Sequence, residues 1–474
     1  MGLLEALQQR IHGGRDWPPP SVSDHWLRIG RYRDRYEADP AALLQQSGRE
    51  DPEDAFTPVP LAREMVRLSA ALLFSEEPRI EHEGFADALE AIKDANGLNA
   101  RLHAAAERVA IEGRRAIRII LDEEVSPEPI LAFCDEDQVL WDVRHGDFVV
   151  GGAVVMERGV RSVGGRTVYR LIEEHTKGLV TRALYKGTAT KLGQPIALDS
   201  YDAEQNAPEF FGLEEEYETG LDVPTLVRWD NVPGGHSDIA GIEPLLERID
   251  EAESVFAVKG RRSMPITYAH RSLADERGNV AATGVILTGG NDNDAGIFGD
   301  GPNGLPIETV QPDLQSQATV EWISHLRETA LMMAGYSLAS WGLDRGGSAD
   351  SGKALKLRQA RTLLTKAGKD RMAKEAIVNA LAIALAWREG ASEVAPYRPV
   401  VTLGDGLPED RLEDAQEIQT LDAAEAISTE QKVRRLNPDW DDETVAAEVE
   451  AIGNGNAAPD PVGDVLRGIA SPSV

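Results

Sequence analysis

The spacing most suggestive of chemistry is Gly347-Ser348-Ala349-Asp350-Ser351-Gly352-Lys353. It matches G-x-x-x-x-G-K, a loop whose backbone N–H groups and lysine cradle nucleotide phosphates. Three features oppose nucleotide binding. Position 354 is alanine, so the hydroxyl that would hold Mg²⁺ is missing. Asp350 puts a negative charge inside a loop meant for phosphates. The segment before it reads as helix and turn, whereas a phosphate loop hangs from a strand end. A Gly/Ser-rich loop running into a helix capped by Ser351 accounts for the same residues.

The second feature is a basic run: Lys353, Lys356, Arg358, Arg361, Lys366, Lys369, Arg371 and Lys374. It stands out in a chain of 80 acidic and 49 basic residues with a formal net charge of −31. A solvated helix face, contact with DNA phosphates and pairing with the acidic surface of a neighbouring subunit all fit it. Subunit contact is the preferred of the two functional readings, with Lys353, Lys356, Arg358 and Arg361 as its candidates. Other chemistry finds little support. Asn291-Asp292-Asn293-Asp294-Ala295-Gly296 lacks the third Asx and the distant Glu of a calcium loop. The nine histidines are scattered without H-E-x-x-H or a Cys/His cluster, and there is no G-x-S-x-G. Paired carboxylates occur everywhere in so acidic a chain and single out no acid–base site. No catalytic residue, metal or cofactor is expected.

The elements that position these residues follow from composition and periodicity. At 474 residues the chain suits two or three domain-sized units. Apolar residues make up 42% and aromatics only 5%, so the core must rest on Ala, Leu, Val and Ile. The negative balance argues against a free-standing nucleic-acid binder, although an acidic wall lets a polyanion slide past. Cys134 is the sole cysteine, so no intrachain disulfide is possible. No signal peptide and no membrane-length apolar run are expected, which suits a protein made inside the cell.

Helical spacing is predicted near Trp26–Tyr36, over Leu61–Phe74, and as a pair over 85–112 broken at Asn96-Gly97. Alternation then predicts an antiparallel meander of Arg115–Leu121, Gln138–Val143, Phe148–Glu157, Thr167–Glu173 and Leu179–Tyr185. The acidic stretch 199–222 reads as a loop and Thr225–Trp229 as a strand. Ser237 or Asp238 is expected to cap a helix reaching Arg262, kinked or restarted at Pro244. Strands at Pro265–Ala269 and Val280–Leu287 precede a Gly/Asn/Asp-rich loop over 289–304. A helix over 314–335, a Gly/Ser hinge and a helix from Lys353 to Arg388, roughly 50 Å long, follow. Two acidic helices broken at Asn437-Pro438 and a Gly/Asn/Pro-rich tail complete the chain.

The order helix, small β insert, helix, Gly-rich hinge and long helix resembles the portal proteins of long-tailed bacteriophages. Local residues carry the same resemblance. Gly235-His236-Ser237-Asp238, with Ile249-Asp250-Glu251-Ala252-Glu253-Ser254, looks like the family's start of the first stem helix. Asp350-Ser351-Gly352-Lys353-Ala354-Leu355-Lys356 looks like its start of the long helix. Leu72-Leu73-Phe74-Ser75-Glu76-Glu77-Pro78 is similar to an early segment, and Ala426-Ile427-Ser428 and Leu436-Asn437-Pro438 to the C-terminal crown.

The resemblance implies an α+β, mostly helical fold. Its parts would be a wing (1–236), a first stem helix (237–263), a clip (264–313) and a second stem helix (314–336). A tunnel loop (337–352), the long helix with the rest of the wing (353–405), a crown (406–455) and a flexible tail (456–474) would follow. Ser340, Trp341, Gly342, Leu343, Asp344, Arg345, Gly346, Gly347 and Ser348 would face DNA. The implied assembly is a homo-oligomeric ring, usually of twelve, around a weakly and non-specifically held double-stranded DNA. The implied partners are the terminase large subunit, a head-completion adaptor, and the major capsid and scaffolding proteins, with no membrane. The implied location is the capsid portal vertex of the virion, after assembly in the host cytoplasm. The implied role is non-enzymatic. A P-loop-like packaging NTPase, or another non-enzymatic head or tail structural protein, remains the alternative.

Overall fold

The computed structural model describes residues 16–48, 56–162, 165–262, 266–270, 285–288, 307–310, 316–343, 352–404 and most of 418–455. The chain divides into a large unit, 1–345 with 358–406, and a small one, 346–357 with 407–474.

The large unit opens with helices α1 (Pro20–Glu37), α2 (Pro40–Ser47) and α3 (Leu61–Phe74). The prolines that open α1 and α2 lack only an N–H that a helix start leaves unpaired anyway. This is why α1 begins six residues before the expected Trp26: the proline run starts the helix and does not merely interrupt the chain. Strand β1 (Arg79–Glu81) follows, then α4 (Ala86–Asn96) and α5 (Leu98–Glu112). Gly97, at φ +53°, makes the break between them. The buried Asn96 amide donates to Ile92 O and Pro129 O, and its carbonyl accepts from Leu131 N at 2.8 Å. The helix pair is thereby tied to the strand that follows.

Two sheets replace the single expected meander. Strands β2 (Arg114–Ile120) and β3 (Ile130–Asp135) form a three-stranded sheet whose third member is β10 (Leu226–Asp230), all antiparallel. The true meander comprises β4 (Val139–Arg144), β5 (Phe148–Ser162), β6 (Gly165–Thr176), β7 (Leu179–Thr188) and β8 (Lys191–Ile196). The acidic stretch expected as a loop holds α6 (Tyr201–Asn206), capped by Ser200 Oγ accepting from Ala203 N. It also holds β9 (Glu216–Glu218), paired to β7.

One buried charge cluster joins the sheets. Glu173 on β6 lies between Arg118 Nε of β2 (2.7 Å) and Arg182 Nε of β7 (2.6 Å). His175 Nε2 is 3.0 Å away, and its Nδ1 meets Thr225 Oγ1 at 2.8 Å. Burial alone would raise the Glu173 carboxyl. The His175 contact and the two guanidinium groups outweigh it and hold the group down at about 2. Burial also lowers the His175 pKa, which keeps the ring neutral.

This cluster gives a pH prediction. The folded carboxyl titrates below its unfolded value, so on acidification the unfolded chain takes the proton first. Stability is present above the usual carboxylate range and is lost as pH falls toward 2. From pH 5 to pH 3, unfolding stability should drop by about 2 kcal/mol more in the native protein than in Glu173→Gln. Equal drops in the two denaturation series would show that Glu173 is not held ionised.

After β10 comes a turn, then α7 (Glu243–Arg262), the small sheet strands β11 (Ile266–His270), β12 (Val285–Thr288) and β13 (Ile307–Val310), and α8 (Ser316–Met333). Strand β11 lies centrally, parallel to β12 and antiparallel to β13. The expected loop over 289–304 lies outside the described residues. Helix α9 (Gly352–Arg388), from residue 358 on, and strand β14 (Val400–Thr402), antiparallel to β1, finish the large unit. Its 37 residues make α9 about 55 Å long. The main core lies where the second half of α9, with Ala373, Ala376, Ala380 and Ala384 fully buried, meets α4, α5 and the three-stranded sheet. Alanine lets these backbones approach closely.

In the small unit, α10 (Thr429–Leu436) and α11 (Asp442–Gly455) bury Val433 and Val445. The break at Asn437 is as expected. However, α10 is not acidic, carrying Lys432, Arg434 and Arg435 against Glu430.

Candidate functional site

The two helices flanking the small sheet form an antiparallel hairpin. Arg327 Nη2 of α8 donates to Glu253 Oε1 of α7 at 2.5 Å. Leu246 and Ile249 of α7 share a core with Leu326, Ala330 and Leu331 of α8. Eighteen to twenty residues give each arm a length of about 30 Å.

The start of the hairpin is fixed by the end of α5. Gly113, at φ +89°, leaves no room for a side chain, because a Cβ there would lie 2.5 Å from Gly235 O. The chain after β10 settles on this end, with Asp238 N donating to Ala110 O and Asn231 N to Gly113 O, both at 2.9 Å. Ser237 Oγ accepts from Ile239 N in a local turn, and the helix begins only at Glu243. The expected cap at Ser237 or Asp238 therefore gives way to a restart at Pro244, whose missing N–H is harmless in the first turn. Farther along α7, Asp250 pairs with Arg35 of α1 at 2.5 Å and accepts from Val59 N at 2.8 Å.

Asp238 has a different task. Lys369 Nζ of α9 donates to both its carboxylate oxygens and to Ser69 Oγ of α3, each at 2.5 Å. Asn231 Nδ2 donates to Oδ1 at 2.7 Å and Tyr336 OH to Oδ2 at 3.3 Å. Burial, then the Asp238 charge, push the Tyr336 phenol well above its ordinary value, so it remains a donor. The start of the hairpin, its end, α3 and α9 thus meet at one buried ion pair. Helix α8 terminates at Gly335, φ +91°, where Gly335 N donates to Met332 O and Tyr336 N to Leu331 O. Thr365 Oγ1 of α9 donates to Gly335 O at 2.8 Å.

The basic run does not act as one face. Lys366 is buried, donating to Gly404 O at 2.8 Å, and Lys374 pairs with Asp370 at 2.9 Å. With Lys369 also engaged, the reading of the run as a subunit contact is corrected at Lys366, Lys369 and Lys374, which pair within the chain, while Arg371 is exposed. Arg358 and Arg361 are exposed, and Lys353 and Lys356 lie on the first turns of α9.

Of the residues expected to face DNA, Ser340 and Trp341 lie in a single 3-10 turn, Leu338–Trp341, after α8. Gly342 adopts φ +66° and Leu343 is exposed. Asp344, Arg345, Gly346, Gly347 and Ser348 lie outside the described residues, as does most of the near-match to a phosphate loop. Among the described residues no three His, Cys, Asp or Glu side chains are grouped to hold a metal. No described helix is long and apolar enough to cross a membrane.

A family model described as "Phage portal protein, SPP1 Gp6-like" matches residues 24–456. The chain belongs to that family of phage portal proteins. No curated protein matches it. Among solved structures, it is similar to a chain in the "Virion of native gene transfer agent (GTA) particle". The two share 12% identity at a TM-score of 0.42, over 91% of this chain and 98% of that one.

Membership gives this portal protein a portal function and a place in the phage particle. The portal proteins are in general structural, and the packaging-NTPase alternative is not favoured. Sequence reading names Asp238 but gives it a capping role, places Lys369 in the basic run as a surface cation, and misses Thr362 and Tyr336. A signal existed. Thr362, Lys366, Lys369, Ala373, Ala376 and Ala380 repeat at intervals of four and three, so the cations share the buried stripe of the alanines.

Proposed function

We propose that this chain is one subunit of a closed, non-catalytic ring of about twelve that surrounds DNA at one capsid vertex. In this reading the α7–α8 hairpin is the stem, the small sheet the clip, residues 337–352 the tunnel loop and 406–455 the crown. The terminase large subunit and then a head-completion adaptor dock on the clip, and the wing meets capsid and scaffolding proteins. Residues 340–348 line the channel, and Lys353, Lys356, Arg358 and Arg361 contact the neighbouring subunit. DNA is held weakly, since a net charge of −31 gives phosphates little to bind.

The observation that carries this reading is the portal family match across 24–456, with the hairpin lying inside it. The flank of the hairpin agrees. Val255 and Trp322, 43% and 52% exposed, line a shallow groove of about 520 Å³ with Ala252, Ala318 and the charged Arg248, Glu251 and Lys259. Met333 is 57% exposed farther along α8. Exposed apolar side chains along one flank suit burial against a second copy.

Native mass spectrometry and negative-stain imaging of purified protein test the ring. The expected result is a species near twelve times 51.5 kDa, about 620 kDa, with a central hole. A 51.5 kDa monomer at micromolar concentration, unchanged by adding scaffolding protein, would overturn it.

A further inference from the structure

Between α8 and the segment at 344 the chain makes one short turn, and three hydroxyls hold it. Thr362 of α9 is 2% exposed. Its Oγ1 accepts from the Ser337 backbone N–H at 2.9 Å and from Ser340 Oγ at 2.8 Å, and it lies 3.1 Å from Ser337 Oγ. The two serine hydroxyls are themselves 2.9 Å apart. Two serine hydroxyls and one amide therefore close on a single buried oxygen, Thr362 Oγ1. Inside the turn, Ser340 N donates to Ser337 O and Leu343 N to Leu338 O.

A neighbouring group pulls the other way. The Trp341 ring packs on the core shared by α3, α7 and α8, yet its indole N–H is buried with no hydrogen-bond partner among the described residues. A buried donor left unpaired carries a desolvation cost that is removed once water reaches it. The same small turn thus contains a cluster of bonds that closes it and a polar group that gains when it opens.

We propose that Thr362 is the positioning residue of a two-position turn: its hydroxyl clasps residues 337–343 to the long helix, and release of the clasp exposes the Trp341 indole. The clasp stands on the distances above. Only its consequence for DNA passage rests on the portal reading, in which residues 340–343 line the channel. Hydroxyl bonds are suited to such a role, because each contributes modestly and can be exchanged for water. The neighbouring contact of Thr365 with Gly335 O is separate and keeps the end of α8 in place while the turn moves.

Amide hydrogen exchange on the purified full-length protein tests the clasp. In Thr362→Val, of similar shape but without the hydroxyl, exchange at Ser337–Leu343 should rise about ten-fold, while α9 beyond residue 370 keeps its native protection. In Thr362→Ser the hydroxyl returns, and exchange should fall back to the native rate. Unchanged exchange in Thr362→Val overturns the proposal. So does fast exchange in Thr362→Ser, which would assign the effect to the lost methyl group. If Thr362→Val does not fold, Ser340→Ala removes two of the contacts from a less buried position and is read in the same way. Ring imaging of the same samples tests the assembly independently, so a broken clasp and a wrong assembly give different results.

Discussion

Lys369→Met should lower unfolding stability by about 3–5 kcal/mol, among the largest losses expected from one side chain in this chain. The lysine and Asp238 side chains are 4% and 6% exposed, so neither charge has water to fall back on. Removing the ammonium leaves a buried carboxylate supported only by Asn231 Nδ2 and Tyr336 OH. Leaving such a group unpaired costs more than the pair itself contributes. Adding Asp238→Asn to Lys369→Met should therefore restore more than half of the loss, because a neutral amide tolerates burial better. Urea unfolding of the two single variants and the double variant measures this. A loss below about 1 kcal/mol for Lys369→Met would mean that water reaches the pair in solution. Because the pair joins both ends of the α7–α8 hairpin to α3 and α9, the same variant should also reduce amide protection around Asp238 and Tyr336.

The pair also shows which parts of the structure were legible in the sequence. Helices with a complete apolar stripe were: α3 runs over Leu61–Phe74 as its spacing predicts, and Asn96-Gly97 marks the junction of α4 and α5. Strand positions were largely legible too, because alternation is a local signal. Strand partners were not. Arg114–Ile120 pairs with Leu226–Asp230, more than a hundred residues away, and no local pattern distinguishes that pairing from membership of the neighbouring meander. Polar composition misled at 199–222, where Ser200 caps a short helix whose buried face is one alanine, Ala203. Among the site residues, charge type dominated the reading of α9 and concealed its period. Lys366 and Lys369 lie on the buried stripe, whereas Arg361 and Arg358, about one and two turns earlier, do not. Phase along the helix, not the density of positive charge, separates the buried cations from the exposed ones.

The same distinction between buried and exposed faces leads to the second large effect: if the chain forms the ring proposed above, Trp322→Glu should leave monomers at micromolar concentration while each subunit stays folded. Trp322 is half exposed on α8, its ring 6.0 Å from that of His325, so the isolated fold depends on it only partly. A neighbouring stem that covers the rest would bury on the order of 100 Å² more, about 2–3 kcal/mol at each interface. Glutamate removes that gain and adds the cost of desolvating a charge, together more than a hundred-fold in subunit affinity. In a closed ring every interface suffers equally, so the loss recurs around the circle and closure fails cooperatively. Native mass spectrometry at several concentrations, with circular dichroism to verify folding, provides the measurement. Intact rings from Trp322→Glu would place this flank of the α7–α8 hairpin toward solvent or the channel and move the intersubunit contact elsewhere. The exposed arginines at the start of α9, Arg358 and Arg361, would then be the next surface to reverse in charge.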